Sequence, residues 1–389
     1  MSKVSLPLSK LNDLLDGGIE DGSNVLIMAD LAVDKMRFGS SLVDYRLEED
    51  DNLVYFINNK LPRYVKEHLK DYGSYESQIS FVDGFSKTVE KESEEEFSVD
   101  VKATKNKKEY IEESIDVVKD ALEAREGYGS TFVLDSIDSW VGSWDAMEEF
   151  LTDIKGTLES TNTVAYYLLP NLGFDEESGQ LERLTEMFDY VLHLKGLERS
   201  GNVLKYIDIR KPETDTKVPF DVTESGLVMY VPKMIVTGPY NAGKSTTVKN
   251  MSEESVSVDR LGTTVALDHG KVKRNGIKAD LFGTPGQKRF DWALNFLGRS
   301  IFGNFLILDS RNPDYDRAKD MVEKLRAKDI PTVILANFQN KEDAIPPESI
   351  EDEMDVVTLG VDALHGKGLD EALDKLFEKI LSQHSWYYT

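Results

Sequence analysis

The feature that most constrains this chain is a pattern that occurs twice, in which short apolar runs alternate with amphipathic helical segments. The first series has its runs at Val25–Met28, Leu53–Ile57, Thr131–Asp135 and Thr163–Leu169. The second series has them at Met234–Thr237, Lys278–Phe282, Asn304–Asp309, Thr332–Ala336 and Asp355–Leu359. Runs of this length, rich in Val, Ile and Leu, are typical of parallel strands that are buried on both faces. The alternation therefore predicts an α/β chain with two three-layer α/β/α domains and mostly parallel sheets.

The helical segments between the runs carry apolar stripes at helical spacing. One stripe consists of Ile111, Ile115, Val118 and Leu122, and another of Trp144, Met147, Leu151, Ile154 and Leu158. We expect both to pack against the sheet, because residues three and four apart share one helical face. Two further runs, Tyr190–Lys195 and Leu204–Arg210, have no helix between them and predict an antiparallel addition to the sheet edge. The best boundary lies at residues 228–232 and separates domains 1–230 and 231–389.

The net charge of the chain is -25 at pH 7. A surface that binds nucleic acid or an anionic membrane needs a clustered basic excess, so the charge argues against both partners. The simplest reason for the acidity is solubility, with a salty cytoplasm as a further reason. One acidic run is expected to be a solvated loop, with a docking site for a basic partner as the alternative. It includes Glu90, Glu92, Glu94, Glu95, Glu96 and Asp100.

The chain contains no cysteine, which excludes disulfides, thiolate metal sites and cysteine nucleophiles and favours a cytoplasmic location. Its first residues lack the charged and apolar segments of a signal peptide. No stretch of about 18 apolar residues is present, so we expect no direct membrane insertion. The five histidines are scattered without metal-ligand spacing.

Residues 238–246 read G-P-Y-N-A-G-K-S-T and fit the phosphate-binding pattern G-x-x-x-x-G-K-S/T, between a strand and a polar helix start. Glycines let the backbone wrap a phosphate with inward-pointing amides, and the helix directs its N-terminus at the anion. Lys244 is expected to reach the β- and γ-phosphates, and the Ser245 hydroxyl to ligate Mg²⁺. The predicted nucleotide-binding residues of this loop are Gly238, Asn241, Ala242, Gly243, Lys244, Ser245 and Thr246.

Two downstream segments carry a resemblance to a known family. Residues 262–268 read G-T-T-V-A-L-D, and residues 281–287 read L-F-G-T-P-G-Q. In order and spacing they resemble small Ras-like GTPases, in particular the MglA-like and conservon-type members, over roughly residues 231–383. The resemblance implies a switch that binds GTP/GDP with Mg²⁺. Intrinsic hydrolysis should be slow, because no arginine-finger motif is recognisable in the chain and a partner normally supplies that charge.

The resemblance also implies roles for individual residues. Thr264 is the switch I threonine that ligates Mg²⁺ only when a γ-phosphate is present, with Thr263 as the alternative. The Gly286 amide contacts the γ-phosphate, and Gln287 orients the attacking water. In Ras the position of Gly283 holds an Asp that binds the metal through water, and its absence here is shared with the similar F-G-T-P-G-Q families. The predicted catalytic residues are Gln287, Lys244 and Thr264, and the predicted metal ligands are Ser245 and Thr264.

Guanine is normally read by N-K-x-D, and two registers compete in this chain. In the first, Asn337 directly follows its strand, Phe338 stacks on the base, and Asn340 replaces the Asp. In the second, Asn340 to Asp343 is a perfect match but needs three extra residues after the strand. We favour the first, in which Asn340 offers one acceptor and one donor, so xanthine nucleotide and ATP stay as alternatives to GTP. A backbone contact to the base is expected at Ala363.

The region 6–230 resembles the RecA-like KaiC family in its opening and closing segments, LSKLNDLLDGGIEDGSNVLIM and DIRKPETDTKVPFDVTESGLVMY. Where that family has a glycine-rich phosphate loop, this chain reads A-D-L-A-V-D-K-M-R, in which only Lys35 survives. The family's catalytic glutamates fall at Asn58 and Asn59, while Asp135 is retained from its metal-binding strand end. The resemblance therefore implies a pseudo-ATPase, in which Lys35 and Asp135 pair with each other or face solvent.

Both domains are thus expected to be of the P-loop type, with one intact site. The resulting hypothesis is a GTP-binding, slowly hydrolysing switch on an inactive KaiC-like scaffold, which regulates cytoplasmic signalling, polarity or assembly. It implies a guanine nucleotide, an activating protein or other protein partner, no nucleic acid, and a homo-oligomer as an option. A non-hydrolysing nucleotide-binding scaffold is the alternative, because Gly283 and Asn340 depart from the family pattern. A RecA-like protein acting on DNA is a further alternative that the acidic charge disfavours.

Overall fold

The computed structural model describes residues 2–86, 98–101, 106–124, 130–171, 179–199, 202–253, 257–261, 265–284, 301–326 and 329–381. The chain divides into two compact units. Unit 1 holds Met1–Gly196 and Lys205–Met229, and unit 2 holds Leu197–Leu204 and Tyr230–Thr389. Within the described ranges, no helix combines the length and the apolar character that a membrane crossing requires.

A short antiparallel pair, β1 (Lys3–Val4) with β2 (Ile19–Glu20), precedes a ten-stranded sheet in unit 1. The strands of this sheet are β3 (Asn24–Ala29), β4 (Asn52–Ile57), β5 (Ile79–Asp83), β6 (Ser98–Asp100), β7 (Ser130–Asp135), β8 (Thr163–Pro170), β9 (Tyr190–Arg199), β10 (Asn202–Lys211), β11 (Lys217–Thr223) and β12 (Gly226–Met229). Their order is β12-β11-β10-β9-β3-β8-β7-β4-β5-β6. Neighbours from β9 to β6 are parallel, whereas β10–β11 and β11–β12 are antiparallel.

The helices of unit 1 cover both faces of its sheet. They are α1 (Ser9–Leu14), α2 (Lys35–Glu48), α3 (Pro62–Lys66), α4 (Tyr72–Tyr75), α5 (Lys107–Glu123), α6 (Trp144–Ser160) and α7 (Gln180–Glu186), with 3₁₀ turns at Glu76–Gln78 and Ile137–Ser139. Side-chain caps start two of the long helices: Asp34 accepts from the Arg37 amide, and Asn106 from the Lys108 amide. The predicted stripe of α5 is buried in full, and that of α6 is buried except for Trp144, which is partly covered.

Successive residues of β3 show why the strands of unit 1 are apolar throughout. Val25 and Ile27 belong to one buried cluster, on the side of α2, while Leu26 and Met28 belong to another, on the side of α5 and α6. A strand between two helical layers has no polar face, because its alternating side chains are buried on both sides. This arrangement confirms the predicted three-layer α/β/α architecture of unit 1.

The edge of this sheet differs from the sequence-based expectation in one respect. Tyr190–Lys195 lies in β9, which pairs in parallel with the central strand β3 and is not an antiparallel addition. The antiparallel extension is made by β10, β11 and β12. Long-range pairing decides this direction, because the local pattern of a strand does not specify its neighbour.

A seven-stranded sheet forms the centre of unit 2. Its strands are β13 (Lys233–Thr237), β14 (Ser257–Leu261), β15 (Val265–Arg274), β16 (Ile277–Gly283), β17 (Ile301–Asp309), β18 (Thr332–Asn337) and β19 (Thr358–Gly360), in the order β14-β15-β16-β13-β17-β18-β19. The strands from β16 to β19 are parallel, and β14 and β15 add an antiparallel edge. All five strands predicted in this half are present, although the last is confined to Thr358–Gly360.

The helices of unit 2 are α8 (Lys244–Met251), α9 (Tyr315–Arg326), α10 (Pro347–Met354) and α11 (Leu369–Leu381) within the described ranges. Leu306 and Ile334 pack with α9 and α10 on one face of the sheet. On the opposite face α11 comes so close to β17 that a Cβ on Gly303 would lie 2.9 Å from Ile380 Cδ1. Unit 2 therefore has the same three layers as unit 1.

Candidate functional site: a phosphate loop at the edge of the second sheet

The phosphate loop, residues 238–243, connects the end of β13 to the start of α8. Gly238 has φ +144°, and a Cβ there would lie 2.3 Å from the Ile307 carbonyl oxygen. Gly243 has φ +104°, and a Cβ there would lie 2.3 Å from Asn337 Nδ2. Both positions therefore require glycine for conformation and for space. Between them Asn241 is also left-handed, at φ +61°, and exposed, while Ala242 is buried.

One buried side chain connects the phosphate loop to a second loop of the site. Asn337, 2% exposed at the end of β18, donates from Nδ2 to the Ala242 carbonyl oxygen over 3.0 Å. Its Oδ1 accepts from the Ala363 amide, also over 3.0 Å. We call these two hydrogen bonds the Asn337 bridge. The bridge satisfies both ends of a buried amide and holds the two loops at a defined separation.

Lys244, the first residue of α8, bends back over the loop, and its Nζ donates to the Pro239 carbonyl oxygen over 2.5 Å. Burial lowers the pKa of Lys244 to about 8, against an opposing effect of the Asp268 charge. The following Ser245 is exposed and Thr246 is half-buried, at the helix N-terminus. A desolvated amine at this position gains more from an anion than a hydrated one would.

Asp268 was not singled out in the sequence as a site residue, yet it lies beside Gly283. The antiparallel strands β15 and β16 place the two residues directly opposite each other. A Cβ on Gly283 would lie 3.3 Å from both Cβ and Oδ2 of Asp268. A carboxylate therefore lies beside Gly283, on the neighbouring strand. The pairing register of the β15–β16 hairpin is the feature that identifies Asp268 as the neighbour of Gly283.

The loop after Asn337 contains the candidate base-reading residues. Phe338 has φ +68°, and the Gln339 amide donates to the Val361 carbonyl oxygen over 3.1 Å. Asn340 and Asp343 are both exposed. The first register thus begins at a buried residue that contacts the phosphate loop, whereas the second begins at the exposed Asn340. The Ala363 amide is engaged by Asn337 in this structure.

Four residues with predicted roles lie outside the described ranges: Thr263, Thr264, Gly286 and Gln287. The described part of unit 2 brings together the phosphate loop, Lys244, Ser245, Asp268 and the Asn337 bridge at the C-terminal edge of the parallel strands. Ligands bind at this edge in open α/β sheets. The arrangement can bind an anionic phosphate chain and present oxygen donors to a hard cation.

The corresponding edge of unit 1 is occupied by its own side chains. Asp135 is fully buried and receives Lys35 Nζ at 2.8 Å and Lys60 Nζ at 2.5 Å on its two carboxylate oxygens. Burial alone would raise the pKa of Asp135, but the two lysines outweigh it and hold the pKa below its usual value. The surviving Lys35 is therefore engaged internally. Nearby, Asn58 Oδ1 accepts from the Ser136 amide over 2.9 Å, which is a structural contact.

The family comparison agrees with the intact loop in unit 2. Residues 233–338 match the family model described as 50S ribosome-binding GTPase. The C-terminal region contains a GTPase-family domain. The chain is 27% identical over 144 residues to an uncharacterized protein of Methanocaldococcus jannaschii. This alignment covers 37% of this chain and 94% of that protein. It is 24% identical over 168 residues to the Ras-related protein RABA4b of Arabidopsis thaliana, and this alignment covers 40% of this chain and 75% of that protein.

Among solved structures, the KaiC-like protein of Pyrococcus horikoshii is similar to this chain. It shares 20% sequence identity at a TM-score of 0.43, and the alignment covers 59% of this chain and 99% of that one.

The Lys35–Asp135–Lys60 cluster predicts a large loss of stability when its carboxylate is removed. Asp135→Ala would leave two partly buried ammonium groups without their counter-charge, which costs about 3–5 kcal/mol. The measurement is urea unfolding of the full chain, followed by tryptophan fluorescence. The matched control is Asp13→Ala, which removes the exposed partner of Lys10 and should cost less than about 1 kcal/mol. Equal stability losses for the two variants would contradict the structural role of the cluster.

Proposed function

We propose that this chain binds GTP with Mg²⁺ in unit 2 and acts as a slowly hydrolysing molecular switch. The observation that carries the proposal is the Asn337 bridge, which connects a phosphate loop to the segment that would contact the base. One buried amide thereby couples the two ends of a nucleotide site. The GTPase-family match over residues 233–338 supports guanine as the base.

In this proposal the base is read in the register Asn337 to Asn340. Asn337 sets the separation between the phosphate loop and the loop that contains Ala363. The Ala363 amide belongs to the site as the donor to Asn337 Oδ1. Asn340 is exposed and able to turn its amide to the base edge. Because an amide offers one donor and one acceptor, it discriminates guanine from xanthine less well than the usual carboxylate.

The residues around the phosphate loop fit a Mg²⁺ ion. The exposed Ser245 hydroxyl and the Asp268 carboxylate are hard oxygen donors, and such donors suit a cation that is otherwise held by phosphate oxygens and water. When bound, Mg²⁺ would neutralise charge on the β- and γ-phosphates. Lys244 would exchange the Pro239 carbonyl for these phosphates, and Thr264 would add its hydroxyl in the GTP state only.

Hydrolysis would depend on the residues of the two switch segments. Gln287 would hold the attacking water and the Gly286 amide would contact the γ-phosphate, while Lys244 stabilises the charge that develops on the phosphate oxygens. GTP would order both switch segments and hydrolysis would release them. An activating protein partner would supply the additional positive charge and accelerate the reaction.

Unit 1 would serve as an inactive scaffold of the KaiC-like type, because Lys35 and Asp135, the residues retained from that family's pattern, are bound to each other within the Lys35–Asp135–Lys60 cluster. We assign this scaffold to residues 1–230 and the switch to residues 231–389. The protein would regulate a cytoplasmic signalling, polarity or assembly process, with a homo-oligomer as an option and without nucleic acid.

The bound nucleotide and the rate of phosphate release test this proposal directly. Purified full-length protein should carry GDP or GTP and should hydrolyse GTP at about 10⁻⁴ to 10⁻² per second without a partner. Gly243→Ala should abolish binding, because its Cβ would collide with the Asn337 amide. Copurified ATP would overturn the base assignment. Bound GTP without any phosphate release, even with candidate partners, would leave the non-hydrolysing scaffold as the function.

Nucleotide binding should depend on pH through Lys244. Its pKa in the free protein is about 8, and bound phosphate raises it. Below pH 8 the amine already carries its proton, so affinity should be nearly constant. Above pH 8 binding must take up a proton, so affinity should fall, by no more than about tenfold per pH unit. Calorimetry of GDP binding in two buffers at pH 8.5 should show this uptake; zero uptake would exclude the linkage.

Asp268→Asn should weaken the metal dependence of the site. We expect the metal affinity to fall by about tenfold or more, since a carboxylate on the metal side is lost. The measurement is GDP dissociation with and without a chelator, which should accelerate release from the wild type far more than from the variant. Asp280→Asn is the matched control, because it removes the same charge from the adjacent strand β16. A chelator effect in Asp268→Asn equal to that in the wild type would rule out this role.

A further inference from the structure

Two residues outside the phosphate loop meet where β17 and β18 end. These parallel strands are in register, with Asp309 opposite Asn337 in the final pair. The residues that follow them, Arg311 and Phe338, therefore leave the sheet side by side at its C-terminal edge. The Arg311 Cζ atom lies 4.2 Å from the centroid of the Phe338 ring. This is close contact for a guanidinium stacked on an aromatic face.

Arg311 is locked in its position by Asp309. Its Nε donates to Asp309 Oδ1 over 2.9 Å and its Nη2 to Oδ2 over 2.6 Å, so both carboxylate oxygens are engaged. The Arg311 amide adds a third hydrogen bond, to Oδ1 over 3.0 Å. A planar guanidinium held by two parallel hydrogen bonds has a fixed orientation, which a lysine could not reproduce.

Phe338 is held in a conformation that bulky residues rarely adopt, at φ +68°. Such a backbone is costly and persists only where its neighbours impose it. Here the Asn337 bridge fixes the preceding residue, the Gln339 amide donates to Val361, and the Lys341 amide donates to the Phe338 carbonyl over 3.0 Å. The ring is half-buried and starts one residue from the side chain that contacts the phosphate loop.

We propose that Asp309 and Arg311 position Phe338 as a stacking platform for the purine ring of the bound nucleotide. This inference rests on the proposed function and deepens it. Arg311 acts through Phe338 and is a positioning residue. Its guanidinium covers one face of the ring and limits its rotation, so the ring meets the base without a further loss of conformational freedom.

The affinity for a nucleotide and the selectivity among nucleotides should depend on different residues of the site. Stacking uses the face of a base and is nearly independent of the groups on its edge. Loss of the platform should therefore weaken GDP, IDP and XDP by the same factor. Selectivity among these nucleotides should instead respond to Asn340, the residue proposed to read the base edge.

The test is calorimetric titration of the full chain with GDP, IDP and XDP in the presence of Mg²⁺. We expect Arg311→Ala to weaken each nucleotide by about three- to tenfold and Phe338→Leu by about tenfold or more. Phe338→Tyr, which keeps the ring, should bind as the wild type does. Arg274→Ala is the control for loss of one positive charge, because Arg274 pairs with Asp370 and Asp374 on α11.

The outcomes distinguish failure of the platform from failure of the proposed function. Equal weakening of all three nucleotides in Arg311→Ala and Phe338→Leu, with rescue by Phe338→Tyr, supports the platform. An affinity of Arg311→Ala equal to that of Arg274→Ala overturns it, even if the wild type binds GDP tightly. If the wild type binds none of the three nucleotides, the proposed function itself fails and the platform fails with it.

Discussion

The candidate nucleotide site depends on one buried amide, the side chain of Asn337. It donates to the phosphate loop at Ala242 and accepts from the second loop at Ala363. Because this group is shielded from water, loss of either partner would leave a buried polar atom unsatisfied. The same amide sets the requirement for glycine at Gly243, where no Cβ has space. The phosphate loop therefore owes its geometry to the end of β18 as much as to its own glycines.

The two units differ in the charges at the C-terminal edges of their sheets. In unit 1, Lys35 and Lys60 both donate to the Asp135 carboxylate, so each cation already faces an anion. In unit 2, Lys244 is desolvated but donates to a neutral carbonyl, that of Pro239. A buried cation with a neutral partner gains strongly from an incoming anion, whereas a cation already paired with a carboxylate gains little.

The proposed metal side of the site depends on the pairing of two neighbouring strands. Gly283 lacks the carboxylate of the Ras pattern, and Asp268 lies beside it from the opposite strand of a hairpin. The sequence motif alone shows only that a carboxylate is absent at Gly283. The pairing register places Asp268 beside Gly283, because directly opposed residues in antiparallel strands lie within contact distance.

The sequence by itself determined the local elements and the phosphate loop. Apolar runs such as Val25–Met28 specify doubly buried strands, and the glycines and Lys244 specify a loop between a strand and a helix. Strand β15 was not predicted, because its exposed Lys271 and half-buried Lys273 flank Val272 and interrupt the apolar run. Only the tertiary structure decided the parallel pairing of β9 and the junction at Asn337. It also decided the contacts Asp268–Gly283 and Arg311–Phe338, since these join residues that are distant in the chain.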